Sequence, residues 1–277
     1  MHSCQSSADS GPSKTCFHLK RMPTLLMSPI LQSTIGGPYK SFENRSKVIN
    51  ESVRFNNYNV YAFEKLKYKP KALTNAVLIE EGNLFKDLDR SRTFRYLSEL
   101  KSFKYPNIEY VENRRDSTLT ANIYLIPKKK YGLGFDVNIS QSNIQKVGLS
   151  FSSGVVIRNI FKGAETLQIS ILGAIGASKD GAKTVDKFFD INELGADIKL
   201  NIPRIFFPIK TEKIIPKYMS PSTRISTGFT GQTNIGLDKQ TFNGILSYNW
   251  FPSKKVTNTL DLINFQYVRN LNPDNYF

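Results

Sequence analysis

The stretch Tyr131 to Ile157, YGLGFDVNISQSNIQKVGLSFSSGVVI, decides the fold. Tyr131, Leu133, Phe135, Val137 and Ile139 alternate with Gly132, Gly134, Asp136, Asn138 and Ser140. After a polar turn, Val147, Leu149, Phe151, Val155 and Ile157 alternate with Gly148, Ser150, Ser152 and Gly154. Successive side chains of a strand point to opposite faces, so a period of two separates an apolar face from a polar one.

The period persists downstream. Leu167, Ile169 and Ile171 follow it, as do Leu194, Ala196, Ile198, Leu200 and Ile202. Further segments run over Arg224–Thr230, Phe242–Trp250 and Thr259–Tyr267. The last is mixed in phase, because Leu260 and Leu262 are apolar but so are Ile263, Phe265 and Tyr267. About seven antiparallel strands are expected, several of them long enough to cross a bilayer. Their polar face carries Gly, Ser, Asn, Asp and Lys, which suits a wet lumen or solvent. Tyr131, Phe161, Phe188, Phe189, Phe206, Phe207, Trp250 and Phe251 gather near segment ends, where interfacial girdles place aromatic rings. A soluble antiparallel sandwich with one buried face fits the alternation too, and the pattern alone leaves both open.

Upstream the text is mixed α+β. Val60–Tyr68 reads as a strand stopped by Pro70. Leu73, Ala76, Val77 and Glu80 follow at helical spacing, with Gly82 placed as a helix C-cap. Asp87 or Asp89 can cap a second helix whose apolar stripe is Phe94, Leu97 and Leu100. Ile108–Val111, a polar turn from Glu112 to Ser117, and a strand facing inward through Leu119, Ala121, Ile123 and Leu125 complete a β-α-α-β-β unit. The NRRDS stretch in that turn reads as a solvated hairpin tip. The domains are therefore 46–129 for this unit and 130–277 for the alternating strands.

Residues 1–45 are rich in Ser, Pro, Thr and Gly and are expected to be disordered. Lys20 and Arg21 precede an apolar patch, but Pro23 and Pro29 interrupt it, unlike a signal-peptide core.

Composition narrows the function classes. Of 277 residues, 40% are hydrophobic and 12% aromatic, enough to bury a core, which argues against disorder throughout. Mean hydropathy is −0.33 and no run approaches the roughly 18 apolar residues of a spanning helix. A strand-built barrel escapes that test, because its alternation averages out. Cys4, Cys16, His2 and His18 are the only cysteines and histidines, and all lie in the first segment. That excludes a disulfide scaffold and a multi-cysteine zinc site. No metal, cofactor or catalysis is expected, and Asp136 and Asp197 read as lining of a polar face. Lys plus Arg is 38 against 23 Asp plus Glu, a net charge of +15. These cations are spread over strands and loops rather than gathered in a patch, so no nucleic-acid partner is expected. Lys128–Lys130 reads as a run against anionic lipid headgroups.

Two stretches, FKYPNIEYVE (Phe103 to Glu112) and GLSFSSGVVIRNIFKGAETLQISILG (Gly148 to Gly173), resemble the BamA/TamA-like outer-membrane assembly family, the bacterial surface antigens. The R-N-x-F-x-G-x-E turn pattern of that family is carried by Arg158, Asn159, Phe161, Gly163 and Glu165. The wording, including PRIFFPIKTEKIIPKYMSPSTRIS (Pro203 to Ser226), looks most like a Bacteroidetes branch. The resemblance covers residue 50 or so onward and implies a periplasmic POTRA domain leading into the first part of a transmembrane β-barrel. It also implies a chain truncated at both ends, since further POTRA units, further strands and a late lumen loop are missing. The final NLNPDNYF has a proline and no alternation, unlike an outer-membrane C-terminal signal. The Pro203–Ser222 connection is long for a periplasmic turn.

The implied function is insertion of nascent outer-membrane proteins, with outer-membrane lipids and accessory lipoproteins of an assembly complex as further partners. The first barrel strand would be the seam edge, through Tyr131, Gly132, Leu133, Gly134, Phe135, Val137 and Ile139. There Gly132 and Gly134 either ease opening or relieve crowding in the lumen. Ile108, Glu109, Tyr110 and Val111 would form a second edge in the POTRA unit, and both edges would bind clients by strand augmentation. The alternatives are a smaller outer-membrane barrel or a soluble basic β-sandwich binding protein.

Overall fold

A computed structural model describes residues 24–27, 51–62, 65–115, 117–141, 145–178, 189–208, 211–234, 237–253 and 255–271. The chain forms a five-stranded α+β unit followed by a seven-stranded antiparallel sheet. Cys4, Cys16, His2, His18, Phe188 and the terminal Phe277 lie outside the described residues.

In the α+β unit, β1 is Thr24–Met27, β2 Glu51–Phe55 and β3 Tyr58–Ala62. Helices α1 (Pro70–Thr74) and α2 (Asp87–Glu99) precede β4 (Phe103–Asn113) and β5 (Thr118–Pro127). The sheet order is β2-β3-β1-β5-β4. Three expectations are corrected here. β1 is a strand between β3 and β5, parallel to both, although residues 1–45 were expected to be disordered. The first predicted strand is shorter and earlier, and Tyr68 instead buries its ring against Phe103, centroids 4.9 Å apart. The first helix stops at Thr74, so Ala76, Val77 and Ile79 enter the core from irregular backbone, and Gly82 (φ +80) serves a turn rather than a helix cap.

The second helix forms over the expected residues but is rotated from the expected stripe. Its buried residues are Thr93, Tyr96 and Leu97, with Leu100 just beyond, while Phe94 is 48% exposed. Its N-cap is Lys86, with no side-chain capping bond, so neither Asp87 nor Asp89 caps it. Leu119, Ala121, Ile123 and Leu125 do face the core, as the period of two requires.

The seven-stranded sheet comprises β6 (Tyr131–Ser140), β7 (Gln145–Arg158), β8 (Thr166–Ser178), β9 (Ile191–Ile202), β10 (Ser222–Asn234), β11 (Leu237–Ser253) and β12 (Val256–Asn270). Each pairs antiparallel with the next in sequence, so β6 and β12 are its two edges among the described residues. The strands run from 10 residues in β6 to 17 in β11, at or above the roughly 9–11 a tilted strand needs to cross a bilayer.

Register turns the alternation into continuous rows. Tyr131, Ile157, Leu167, Leu200, Ile225, Leu246 and Ile263 stand side by side across all seven strands. On the opposite face, Gly134, Gly154, Ser170, Asp197, Gly228, Asn243 and Gln266 form an equally long polar row. β12 reconciles its mixed phase through a bulge. Leu246 pairs Ile263 but Ser247 pairs Asp261, leaving Leu262 as an extra residue. One extra residue reverses the alternation, so Leu260, opposite Tyr248, and Ile263, opposite Leu246, share the apolar face.

No second layer covers this apolar face among the described residues. Leu133 is 64% exposed, and Val137, Ile171, Leu194, Phe229 and Tyr267 are exposed with it. A soluble sandwich would bury that face, so the structure does not support the sandwich reading.

Candidate functional site: a turn that joins the two sheets

The turn between β7 and β8 is built to be held. Asn159, Lys162 and Ala164 all take left-handed backbone conformations, with φ of 58°, 63° and 63°. The Asn159 backbone N–H donates to the Glu165 carbonyl at 2.6 Å, and its side-chain oxygen accepts from the Ala164 N–H at 3.1 Å. Its side-chain amide reaches outward to donate to the Lys67 carbonyl of the α+β unit at 2.8 Å. The Lys69 N–H donates to the Lys162 carbonyl at 2.7 Å, and Ala164 is buried in the core of the α+β unit. One short turn thus closes on itself and inserts a methyl group into the neighbouring domain.

Glu165 is the buried charge of the turn, 2% exposed. Its carboxylate accepts from the Gly163 N–H at 2.8 Å and from the Arg204 guanidinium at 3.1 Å. A buried carboxylate needs such partners, because an unpaired one costs several kcal/mol. Gly163 is required by close approach, since a Cβ there would overlap the Glu165 carboxylate. Arg158 completes the bracket: its N–H donates to the Lys130 carbonyl at 2.8 Å and its guanidinium to the Lys129 carbonyl at 3.1 Å. Phe161 is exposed at the turn tip.

The long β9–β10 connection docks on the same unit. Tyr96 donates its hydroxyl to the Pro203 carbonyl at 3.3 Å, and Lys217 pairs with Glu80 at 2.6 Å. Arg92 stacks over the Tyr218 ring at 4.9 Å. Its length is explained by this path over α2. Arg204, Tyr96, Lys217 and Tyr218 were not singled out from the sequence. Their partners are mostly backbone carbonyls or residues more than a hundred positions away, which no local pattern encodes.

The core of the α+β unit also shifts protonation. Burial pushes the Tyr58 hydroxyl up to about 12, with Glu80 adding to the effect. Burial likewise pushes Tyr68 up to about 12, against a hydrogen bond with Ser102 and the nearby Arg158. Tyr96 is raised further by its burial, and Glu99 is raised by burial against the pull of Arg95.

The other sequence-derived residues occupy edges. Tyr131, Gly132, Leu133, Gly134, Phe135, Val137 and Ile139 lie in β6, whose partner strand among the described residues is β7. Gly132 lies against Arg158, where an added Cβ would stand 3.1 Å from the guanidinium, whereas a Cβ on Gly134 would meet open space. Ile108, Glu109, Tyr110 and Val111 lie in β4, last in the order of its sheet. Ile108 is buried, Glu109 and Val111 are exposed, and Tyr110 meets the Phe85 ring edge-on at 5.0 Å. Tyr131, Phe161, Phe206, Phe207, Trp250 and Phe251 collect at the end of the sheet nearest the α+β unit, and Phe189 sits at the opposite end. No group of three or more metal-ligating side chains occurs among the described residues, and none of their helices is long and apolar enough to cross a membrane.

Fold and junction together define a mostly antiparallel, strand-rich protein in which an amphipathic seven-stranded sheet is bracketed onto an α+β unit. No family model and no curated protein matches the chain. Solved structures similar to it include BamA from Haemophilus ducreyi lacking POTRA domains 1–3, at 9% identity and TM-score 0.31, covering 79% of this chain and 47% of that one. CdiB from Acinetobacter baumannii is similar at 10% identity and TM-score 0.36, covering 94% and 63%. CdiB from Escherichia coli is similar at 10% identity and TM-score 0.32, covering 97% and 62%. The chain spans between about half and just under two thirds of these proteins.

Proposed function

We propose that the chain is part of an outer-membrane protein assembly or secretion factor of the BamA/TamA-like family, Bacteroidetes-like in wording. In this reading the seven strands are a section of barrel wall and the α+β unit is a POTRA domain in the periplasm. The observation that carries it is the apolar row from Tyr131 to Ile263, which among the described residues is covered by no second layer, is backed by a polar face and ends at an edge strand. Hydrocarbon is the environment that such a face fits, and a polar inner face fits a lumen.

The work of the site is templating rather than catalysis. A strand edge presents unpaired N–H and C=O groups that an incoming strand can satisfy. β6 offers this edge within the membrane and β4 offers one in the α+β unit, so nascent outer-membrane proteins would be held by main-chain pairing. Accessory lipoproteins and outer-membrane lipids complete the proposed partners. The bracket at Asn159 and Glu165 fixes the α+β unit beneath the wall, so that a client leaving β4 stays near β6.

The test is site-specific crosslinking in cells. A photoreactive residue at Val137 should capture unfolded outer-membrane proteins, while one at Ser170, in the interior of the sheet, should not. Equal capture from both positions, or from neither, would contradict the reading.

A further inference from the structure

A cavity of about 590 Å³ lies between the C-terminal end of α2 and the two rows of the polar sheet face nearest the α+β unit. Among the described residues, Lys101, Lys128, Arg158, Lys199 and Arg224 line it, with Glu99 as the one carboxylate in its wall. Lys199 has a loose partner, Asp197, at 3.9 Å, with both side chains half exposed. Such a pair is worth little. Lys101, Lys128, Arg158 and Arg224 form no ion pair among the described residues. Glu99 already faces Arg95 at 3.6 Å, so it does little to balance the cavity.

We propose that this cavity is a binding site for a small multivalent oxyanion, of the phosphate or polyphosphate class. Five cations gathered round one open cavity repel one another, most strongly at Lys128 and Arg158, which are half-buried, while Lys101, Lys199 and Arg224 remain exposed to water. An anion with several charged oxygens relieves it, and two guanidinium groups match planar or tetrahedral oxyanions by paired donors. Arg158 is held ready, since its backbone and side chain are fixed by the Lys130 and Lys129 carbonyls. The sheet residues lining the cavity, Val156, Gln168, Lys199 and Arg224, belong to the polar face, so the ligand arrives from water rather than from the apolar side. The site rests on this junction and not on the assembly role proposed above.

The experiment is calorimetric titration of inorganic tripolyphosphate into the full chain in zwitterionic micelles. One saturable site is expected, weakened roughly tenfold or more by combining Lys199→Gln with Arg224→Gln, which removes two charge-assisted contacts. Combining Lys104→Gln with Arg114→Gln removes the same charge away from the cavity and should leave binding unchanged. Circular dichroism establishes that both variants keep the wild-type fold. Binding that is unsaturable, or that falls equally in both double variants, overturns the proposal. Competition by phosphatidylglycerol added to the micelles overturns its aqueous source in favour of a lipid phosphate.

Discussion

Glu165 and Arg204 sit on two different turns of the seven-stranded sheet and meet at 3.1 Å, with the carboxylate buried and the guanidinium half exposed. The pair ties the β7–β8 turn to the β9–β10 connection, and both turns rest on the α+β unit. The asymmetry of burial yields an ordered expectation. Arg204→Ala leaves a buried carboxylate with only the Gly163 N–H and should cost about 3–5 kcal/mol. Glu165→Gln keeps an acceptor for that N–H and frees a cation that water can reach, so it should cost less, about 1–2 kcal/mol. Urea unfolding in micelles, followed through the single Trp250, measures both. The reverse order would mean that Glu165 is not the buried partner.

The rotated stripe of α2 gives a paired test. Leu97 is fully buried, and Leu97→Ala should destabilise the α+β unit by about 2–5 kcal/mol. Phe94 is largely solvated, and Phe94→Ala should stay within roughly 0.5 kcal/mol. Similar costs for the two would put Phe94 back in the core.

Alkaline pH should loosen the α+β unit. Tyr58 and Tyr68 are raised to about 12 and Tyr96 is raised by burial as well, so the folded state holds these protons more tightly than the unfolded one. Their contribution is fully present below the free phenol value of about 10 and is lost as pH climbs through the folded values. A subset of tyrosines should therefore ionise late, together with loss of helical circular dichroism. Titration of every tyrosine near its free value with the helix intact would contradict this.

The bulge at Leu262 predicts a labelling pattern that strict alternation forbids. Cysteines at Leu260 and Ile263, three apart, should both react with a lipid-soluble reagent, and cysteines at Asp261 and Asn264 with a water-soluble one. Opposite labelling of Leu260 and Ile263 would mean an unbroken strand.

The strands were legible because a half-buried sheet writes its face into every second residue. Tyr131 to Ile139 and Leu194 to Ile202 need no other information. The phase conflict at Leu262 was visible, but the bulge that resolves it depends on register with Leu246 and Ser247. The α+β unit was legible from its helices onward, but Thr24–Met27 and Glu51–Phe55, two further strands ahead of the expected first one, were not. Phe94 has the same spacing as a core residue, and Ala76, Val77 and Ile79 are buried without a helix to mark them. The turn motif showed that Asn159, Gly163 and Glu165 belong together. It could not show Arg204, the side-chain partner of Glu165 from a separate connection, or Lys67 and Pro203, whose carbonyls accept from Asn159 and Tyr96 in distant segments.

The central claim is that one face of the seven-stranded sheet meets lipid and the other meets water. Single cysteines at Leu149 and Phe151 on the apolar face, and at Ser150 and Ser152 on the polar face, test it in native membranes. The account predicts that a lipid-soluble reagent labels Leu149 and Phe151 positions while a water-soluble one labels Ser150 and Ser152 positions. Equal labelling of all four by either reagent would contradict it.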